Sequence, residues 1–222
     1  MKTSSAQSNQ SGLTLIELLV VIAVIAVLAA ILLPSSTGLR RANRVVCMSH
    51  LKQIDLGFLL YQSDFGGKYP MQMSVQDGGT SEFISTSHVF PHFEKLQTSK
   101  YMPAPEFYKV LICPSDKARA AATNSEAFND LNISYFLNVD CSTNSPAQSF
   151  LLGDRNLTTN GFTPVAGTLN VTTNINVKWT QEIHKPGGNL ALADGHVEWC
   201  KSENFNSFIR QQPLATNRLA IP

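Results

Sequence analysis

Charge is scarce in this chain. Asp, Glu, Lys and Arg make up 15% of its 222 residues, against ~25% in ordinary soluble proteins. The net charge is +1, so no basic footprint marks a nucleic-acid partner. The polar surface is drawn instead from Asn, Ser, Thr and Gln. Four cysteines, Cys47, Cys113, Cys141 and Cys200, are widely spaced with no Cys-x-x-Cys. In an exported domain they are open to disulfide formation, with three pairings possible. There is no Gly-x-Ser-x-Gly and no phosphate-binding glycine loop, so no catalytic residue can be named from a motif.

One segment is apolar without a break. From Leu18 to Leu33 no residue is charged or polar, and Glu17 stands at its edge. Adding residues 13–17 brings the run to the ~20 residues that cross a bilayer core. A carboxylate in such a helix costs about 2.5–3.5 kcal/mol at the centre and less near an edge. An acid there is read as functional. Pro34 ends the run and removes a backbone donor, which kinks a helix. A secretory signal peptide is one alternative, with Val27-Leu28-Ala29-Ala30 as a cleavage site. The run is long for that, Lys2 is the leader's only charge, and Glu17 has no place in such a segment. A plain anchor is another. Lys2 before the run and Arg40, Arg41 and Arg44 after it would then favour a cytoplasmic C-terminal domain.

Gly12-Leu13-Thr14-Leu15-Ile16-Glu17 and the run behind it resemble the type IV prepilin signal of type IV pilins and type II secretion pseudopilins. Leu13 stands where that family usually has Phe. The resemblance implies that a prepilin peptidase cuts between Gly12 and Leu13 and methylates Leu13. It implies that Glu17 neutralises the terminal amine of a neighbouring subunit in a filament. It also implies a cytoplasmic leader and an exported domain, against the arginine balance. Pilins of this kind carry a proline near Pro34, where the helix can stretch during assembly. The expected organisation is a leader at 1–12, a transmembrane and filament-core helix at 13–34, an amphipathic helix at 35–63 and a periplasmic β-rich domain at 64–222. The expected location is the inner membrane, single-pass, before assembly. The implied partners are the prepilin peptidase, an inner-membrane assembly platform, the lipid bilayer and other pilin-like subunits.

Beyond Pro34, Cys47, Leu51, Ile54, Phe58 and Tyr61 recur at spacings of four and three, one apolar stripe of an amphipathic helix. Arg40, Arg41, Arg44, Lys52 and Asp55 are expected largely outside it. Ser63-Asp64-Phe65-Gly66-Gly67 stops the helix. A short helix is expected near Phe93–Ser99. Phe107–Ile112 reads as a strand or short helix, Asn132–Leu137 and Ser149–Asp154 as strands, and Gly161–Asn176 as a loop or edge hairpin. Asn189–Ala193 and His196–Cys200 flank Asp194-Gly195 as a hairpin with a two-residue type I′ turn. That register sets Leu192 opposite Val197 and Leu190 opposite Trp199, all four in the core.

His184, nine intervening residues and Asp194-Gly195 match the His-x9-Asp-Gly pattern of prepilin-like families from planctomycete, verrucomicrobial and lentisphaeral bacteria. Leu51-Lys52-Gln53-Ile54, Cys113-Pro114-Ser115-Asp116, Gly153-Asp154-Arg155-Asn156 and Gly187-Gly188-Asn189 belong to the same resemblance. It implies a Cys47–Cys113 disulfide; a buried free thiol at Cys47 is the alternative. Major pseudopilins hold calcium in a C-terminal loop, and Asp154, Asn156 and Asp194 are its candidates here. Calcium takes six to eight oxygens, and no Asp-x-Asp cluster supplies them. The bland alternative is that His184 and Asp194 hydrogen-bond loop backbone and hold the hairpin.

The expected fold is α+β, type IV pilin-like, a long N-terminal helix packed on an antiparallel sheet. The expected function is a non-enzymatic structural subunit of a type II secretion pseudopilus. Alternatives are a major or minor type IV pilus subunit for adhesion or motility, and a membrane-anchored periplasmic hydrolase or binding domain. The hydrolase needs His184 or His196 beside an acid and a serine or cysteine.

Overall fold

The computed structural model describes residues 14–32, 36–86, 88–164 and 166–222. The chain divides into two compact units, Met1–Leu39 and Arg40–Pro222.

In the first unit, helix α1 spans Leu15–Leu32 and carries Glu17 in its first turn. A capping box starts it. Glu17 N–H donates to Thr14 Oγ1 at 3.3 Å, while the Glu17 carboxylate accepts the Thr14 N–H at 2.8 Å and its hydroxyl at 2.7 Å. Every large side chain from Leu15 to Leu28 stands out from the helix, and even the least exposed, Val21, shows 49% of its surface. The helix is 18 residues long, or ~27 Å at 1.5 Å per residue. Among the described residues no helix is long and apolar enough to cross a membrane. The expected span of 13–34 runs past α1 at both ends, onto Leu13, Leu33 and Pro34, which lie outside the described residues, as does Gly12.

In the second unit the apolar stripe of helix α2, Ser36–Asp64, does what its spacing demands. Cys47, Leu51, Ile54, Phe58 and Tyr61 are all fully buried. The Gly67 N–H returns to the Gln62 carbonyl at 2.9 Å and closes the last turn. Asp55 corrects the expected polar face. It is 1% exposed, because a position next to Ile54 on the helix lies at the edge of the stripe, under a turn of the sheet domain.

Two short helices follow, α3 at Phe90–Thr98 and α4 at Glu106–Val110. The strands are β1 Tyr135–Asn138, β2 Phe150–Asp154, β3 Leu157–Thr159, β4 Gly167–Thr172, β5 Val177–Trp179, β6 Gly187–Leu192, β7 Val197–Lys201 and β8 Thr216–Ile221, with α5 at Ser202–Arg210 before the last. Six of them form an antiparallel sheet in the order β4-β8-β1-β2-β6-β7, and β3 pairs with β5. The fold is α+β, a helix packed on an antiparallel sheet, as in type IV pilins.

The central strands are buried on both faces. Tyr135, Leu137, Leu152 and Ala191 join the cluster of the α2 stripe, while Phe136, Leu190 and Leu192 join Phe205 and Ile209 of α5. That explains the unbroken apolar runs of β1 and β2, which lack the polar alternation of a one-sided sheet.

The C-terminal hairpin forms, one residue out of the expected register. Leu190 faces Glu198, Ala191 faces Val197 and Asn189 faces Trp199. The turn is not the two-residue type. Leu192 N–H donates to the His196 carbonyl at 2.8 Å, leaving Ala193-Asp194-Gly195 as a three-residue loop. Its last position is left-handed, Gly195 at φ +85°, the form that favours glycine. Trp199 therefore leaves the Leu190 face. The two-residue reading assumed a single buried face, whereas β6 is buried along its whole length and β7, at the sheet edge, holds Trp199 half-buried.

Candidate functional site

Four chemically capable side chains meet between α2 and the sheet. Cys47 comes from the buried stripe of α2, Cys113 follows α4, Asp154 ends β2, and His184 lies between β5 and β6. Cys47 and Cys113 form a disulfide, their Cα atoms 5.2 Å apart. The sulfurs, a His184 ring nitrogen and an Asp154 carboxylate oxygen all lie within 4.8 Å of one another, and all four residues are buried. His184 Nε2 stands 3.4 Å from Cys113 Sγ and 3.9 Å from Asp154 Oδ2. The Tyr135 hydroxyl lies 3.4 Å from Cys47 Sγ.

Burial sets the electrostatics. It pushes the Asp154 carboxyl up to about 7, against the hydrogen bond from Asn189 N–H. Burial and the nearby Arg44 charge bring His184 down to about 4, so the imidazole is neutral at pH 7. Asp154 Oδ2 accepts the Asn189 N–H at 2.7 Å, while Oδ1 is buried without a hydrogen-bond partner. Trp199 packs edge-on against the His184 ring, 6.0 Å between centroids, and carries the Arg44 guanidinium 4.6 Å from its own centroid.

Residues of the other short motifs pair with one another around the cluster or along α2. Arg155, next to Asp154, donates twice to Asp116, three residues past Cys113, at 2.7 and 2.8 Å. Lys52 Nζ donates to the Gly195 carbonyl at 2.6 Å. Asp194 Oδ1 accepts the His196 N–H at 2.9 Å and shapes the turn. A Cβ on Gly195 would stand 3.2 Å from Leu59 Cδ1. The two ends of the His-x9-Asp-Gly pattern thus both land on partners of α2: His184 beside the disulfide, Gly195 on Lys52. In this structure the pattern joins the β6–β7 hairpin to the helix.

The calcium candidates sit in different surroundings. Asp194 is exposed in the turn, while Asp154 Oδ1 and Asn156 Oδ1 are buried without hydrogen-bond partners, and Asp154 also lies beside two sulfurs and an imidazole. Sulfur and imidazole are donors of the kind that suit a transition-series ion. The cluster is not a hydrolytic relay. In such a relay the acid holds the imidazole nitrogen that the nucleophile leaves free. Here Cys113 and Asp154 approach the same nitrogen, and Cys113 is bonded to Cys47. His196 is exposed on the turn.

Sequence reasoning missed three partnerships: His184 with the cysteines, Asp116 with Arg155, and Asp55 with the turn. Each pairs residues far apart in the chain. The signal was present only as the short motifs that hold them.

At the other end of the chain, Glu17 and Thr14 cap α1, and residues 18–30 behind them are apolar and exposed.

Residues 7–33 match the model of the prokaryotic N-terminal methylation motif.

The match covers α1 and the residues before it. The motif is that of prepilin-like chains, pilin-like or pseudopilin subunits, and in general implies processing by prepilin peptidase and assembly with other pilin subunits. It points to an N-terminally anchored membrane protein or a surface-assembled one. No curated protein and no solved structure matches the chain.

Proposed function

We propose that this chain is a structural subunit cut by prepilin peptidase between Gly12 and Leu13, methylated on Leu13, and drawn through its N-terminal helix into a type II secretion pseudopilus. The carrying observation is the methylation motif at 7–33 on a helix whose apolar side chains stand exposed. A helix apolar on every side needs cover from lipid or from other helices. Copies stacked by head-to-tail contacts supply that cover and generate a helical filament.

Glu17 sets the register. Thr14 holds its carboxylate before assembly; in the filament it meets the methylated amine of a neighbour, since an unpaired carboxylate in an apolar core is costly. Pro34 is the proposed point of helix stretching. The globular unit is the periplasmic part, and the assembly platform receives the chain in the inner membrane.

Mass spectrometry of the N-terminal peptide from native membranes tests the reading. A peptide beginning at N-methylated Leu13 is expected; one beginning at Met1 overturns it. Glu17→Leu is expected to remain in the membrane and fail to assemble. Recovery of the chain chiefly in sheared surface filaments would replace the pseudopilus with a surface pilus.

A further inference from the structure

The buried cluster does more chemistry than a disulfide needs. A disulfide asks nothing of a neighbouring imidazole or carboxylate, yet His184 and Asp154 both turn toward Cys47 and Cys113. Both are buried, at 5% and 0% exposure, and Asp154 keeps one oxygen without a partner. An unpaired carboxylate oxygen in the interior costs on the order of 1–3 kcal/mol unless something binds it.

We propose that Cys47, Cys113, His184 and Asp154 form a four-ligand site for a zinc-class divalent ion when the disulfide is reduced, so that one cluster has two exclusive states, disulfide-bonded and metal-bound.

The distances suit that use. Zinc bonds of ~2.0–2.3 Å in a tetrahedron place neighbouring ligand atoms ~3.3–3.8 Å apart. His184 Nε2 lies 3.4 Å from Cys113 Sγ, inside that span, and 3.9 Å from Asp154 Oδ2, just beyond it, so the carboxylate closes in by a small rotation that can bring the unpartnered Oδ1 to the ion. The sulfurs reach their separation by side-chain rotation once the S–S bond is broken. The outer contacts are those a metal site uses to orient its ligands. Tyr135 Oη stands beside Cys47 Sγ at 3.4 Å, and Asn189 N–H holds the Asp154 carboxylate at 2.7 Å. Two thiolates, one carboxylate and a divalent cation leave one negative charge. The Arg44 guanidinium, whose charge reaches His184, balances it.

The steps conserve electrons and protons. A small dithiol gives two electrons and two protons to the S–S bond, yielding two thiols, and itself becomes a disulfide. The ion then displaces both thiol protons. Reoxidation by a disulfide-donating protein reverses the first step and expels the ion. Cys141 and Cys200 are also buried but lie outside the donor group, so they take no part.

The test uses the full chain in detergent micelles with zinc alone as the probe. The chain is reduced, given zinc, desalted and analysed for metal, beside an unreduced sample. One zinc per reduced chain and none per disulfide-bonded chain is expected. X-ray absorption of the unaltered, zinc-loaded chain is expected to show two sulfur and two nitrogen or oxygen neighbours. Cobalt in place of zinc is expected to give thiolate charge-transfer absorption and intense tetrahedral ligand-field bands. His184→Ala and Asp154→Ala are expected to weaken binding by more than the ~10–100-fold that follows loss of an outer partner. A double Cys141→Ser, Cys200→Ser variant is expected to bind as before. No zinc on the reduced chain, equal zinc on the oxidised chain, or a shell without two sulfurs overturns the proposal. The absorption measurement needs no variant, so a substitution that fails to fold leaves the test intact.

Discussion

Helix α1 shows 57% of Leu18 and 56% of Ile22 to its surroundings, while α2 shows none of Leu51, Ile54 or Phe58. These residues are of the same apolar types, though α2 as a whole carries many polar and charged residues and α1 only Glu17. What differs is arrangement. α2 buries one apolar stripe, Cys47 to Tyr61, in the domain that follows, and leaves other positions such as Leu56 and Leu60 partly exposed. α1 has no such stripe, because a helix apolar on all sides has no inner face. Stability of the Arg40–Pro222 unit is therefore an internal matter, while that of α1 depends on whatever covers it. Hydrogen bonds tell the same story: α1 starts on a cap between neighbours in sequence, whereas α2 is tied by Lys52 to Gly195.

Substitutions that hit one region and spare the other break this comparison. Phe58→Ala has the largest expected effect, about 3–5 kcal/mol off the domain for a fully buried aromatic, read by urea unfolding, with membrane partition unchanged. Ile22→Lys is the mirror case. It adds about 2.5–3.5 kcal/mol to insertion of the helix, so membrane recovery falls while the domain's unfolding midpoint holds. An altered midpoint would show that the two regions are not energetically separate.

Asp55→Asn sharpens the domain side. Both carboxylate oxygens of Asp55 lack hydrogen-bond partners. Burial first, with the Asp194 charge adding and Lys52 opposing, raises its carboxyl from 3.8 to about 7. The folded chain therefore holds this proton more tightly than the unfolded one. Below pH 4 the group costs nothing; the penalty grows as pH rises toward 7 and is complete above it. Thermal unfolding of Asp55→Asn is expected to show a gain at pH 8 that vanishes at pH 4, and an equal gain at both would refute the titration. The smallest effect is Thr14→Ala, about 1 kcal/mol from loss of the cap, read as fraying of residues 14–18 in a peptide of the α1 sequence in micelles.

Legibility followed the range of each signal. The α2 stripe is periodic within one element, and periodicity alone placed Cys47 through Tyr61 in the core. The hairpin was legible in its existence, since Asp194-Gly195 announces a turn. Its register was not, because register depends on which faces are covered, and α5 covers the second one. Phe205, Phe208 and Ile209 carry the spacing of an amphipathic helix, a local signal that was available. Strand β8 is half polar and declares itself only through pairing with β1 and β4. The site divides the same way. His184, Cys113 and Asp154 were each visible within a short motif, but their meeting is a product of topology that spacing does not encode.

Strand β8 sits between β4 and β1. Tyr135–Asn138 and Gly167–Thr172 are synthesised well before Thr216–Ile221, the segment that separates them in the sheet. A chain that emerges from its amino end therefore carries two unpaired strand borders until its final stretch arrives. Such borders invite pairing with another copy, and closing them joins residues far apart along the chain, which slows folding. β8 is inserted between strands made before it, so any block that delays it leaves an open sheet rather than a shortened one.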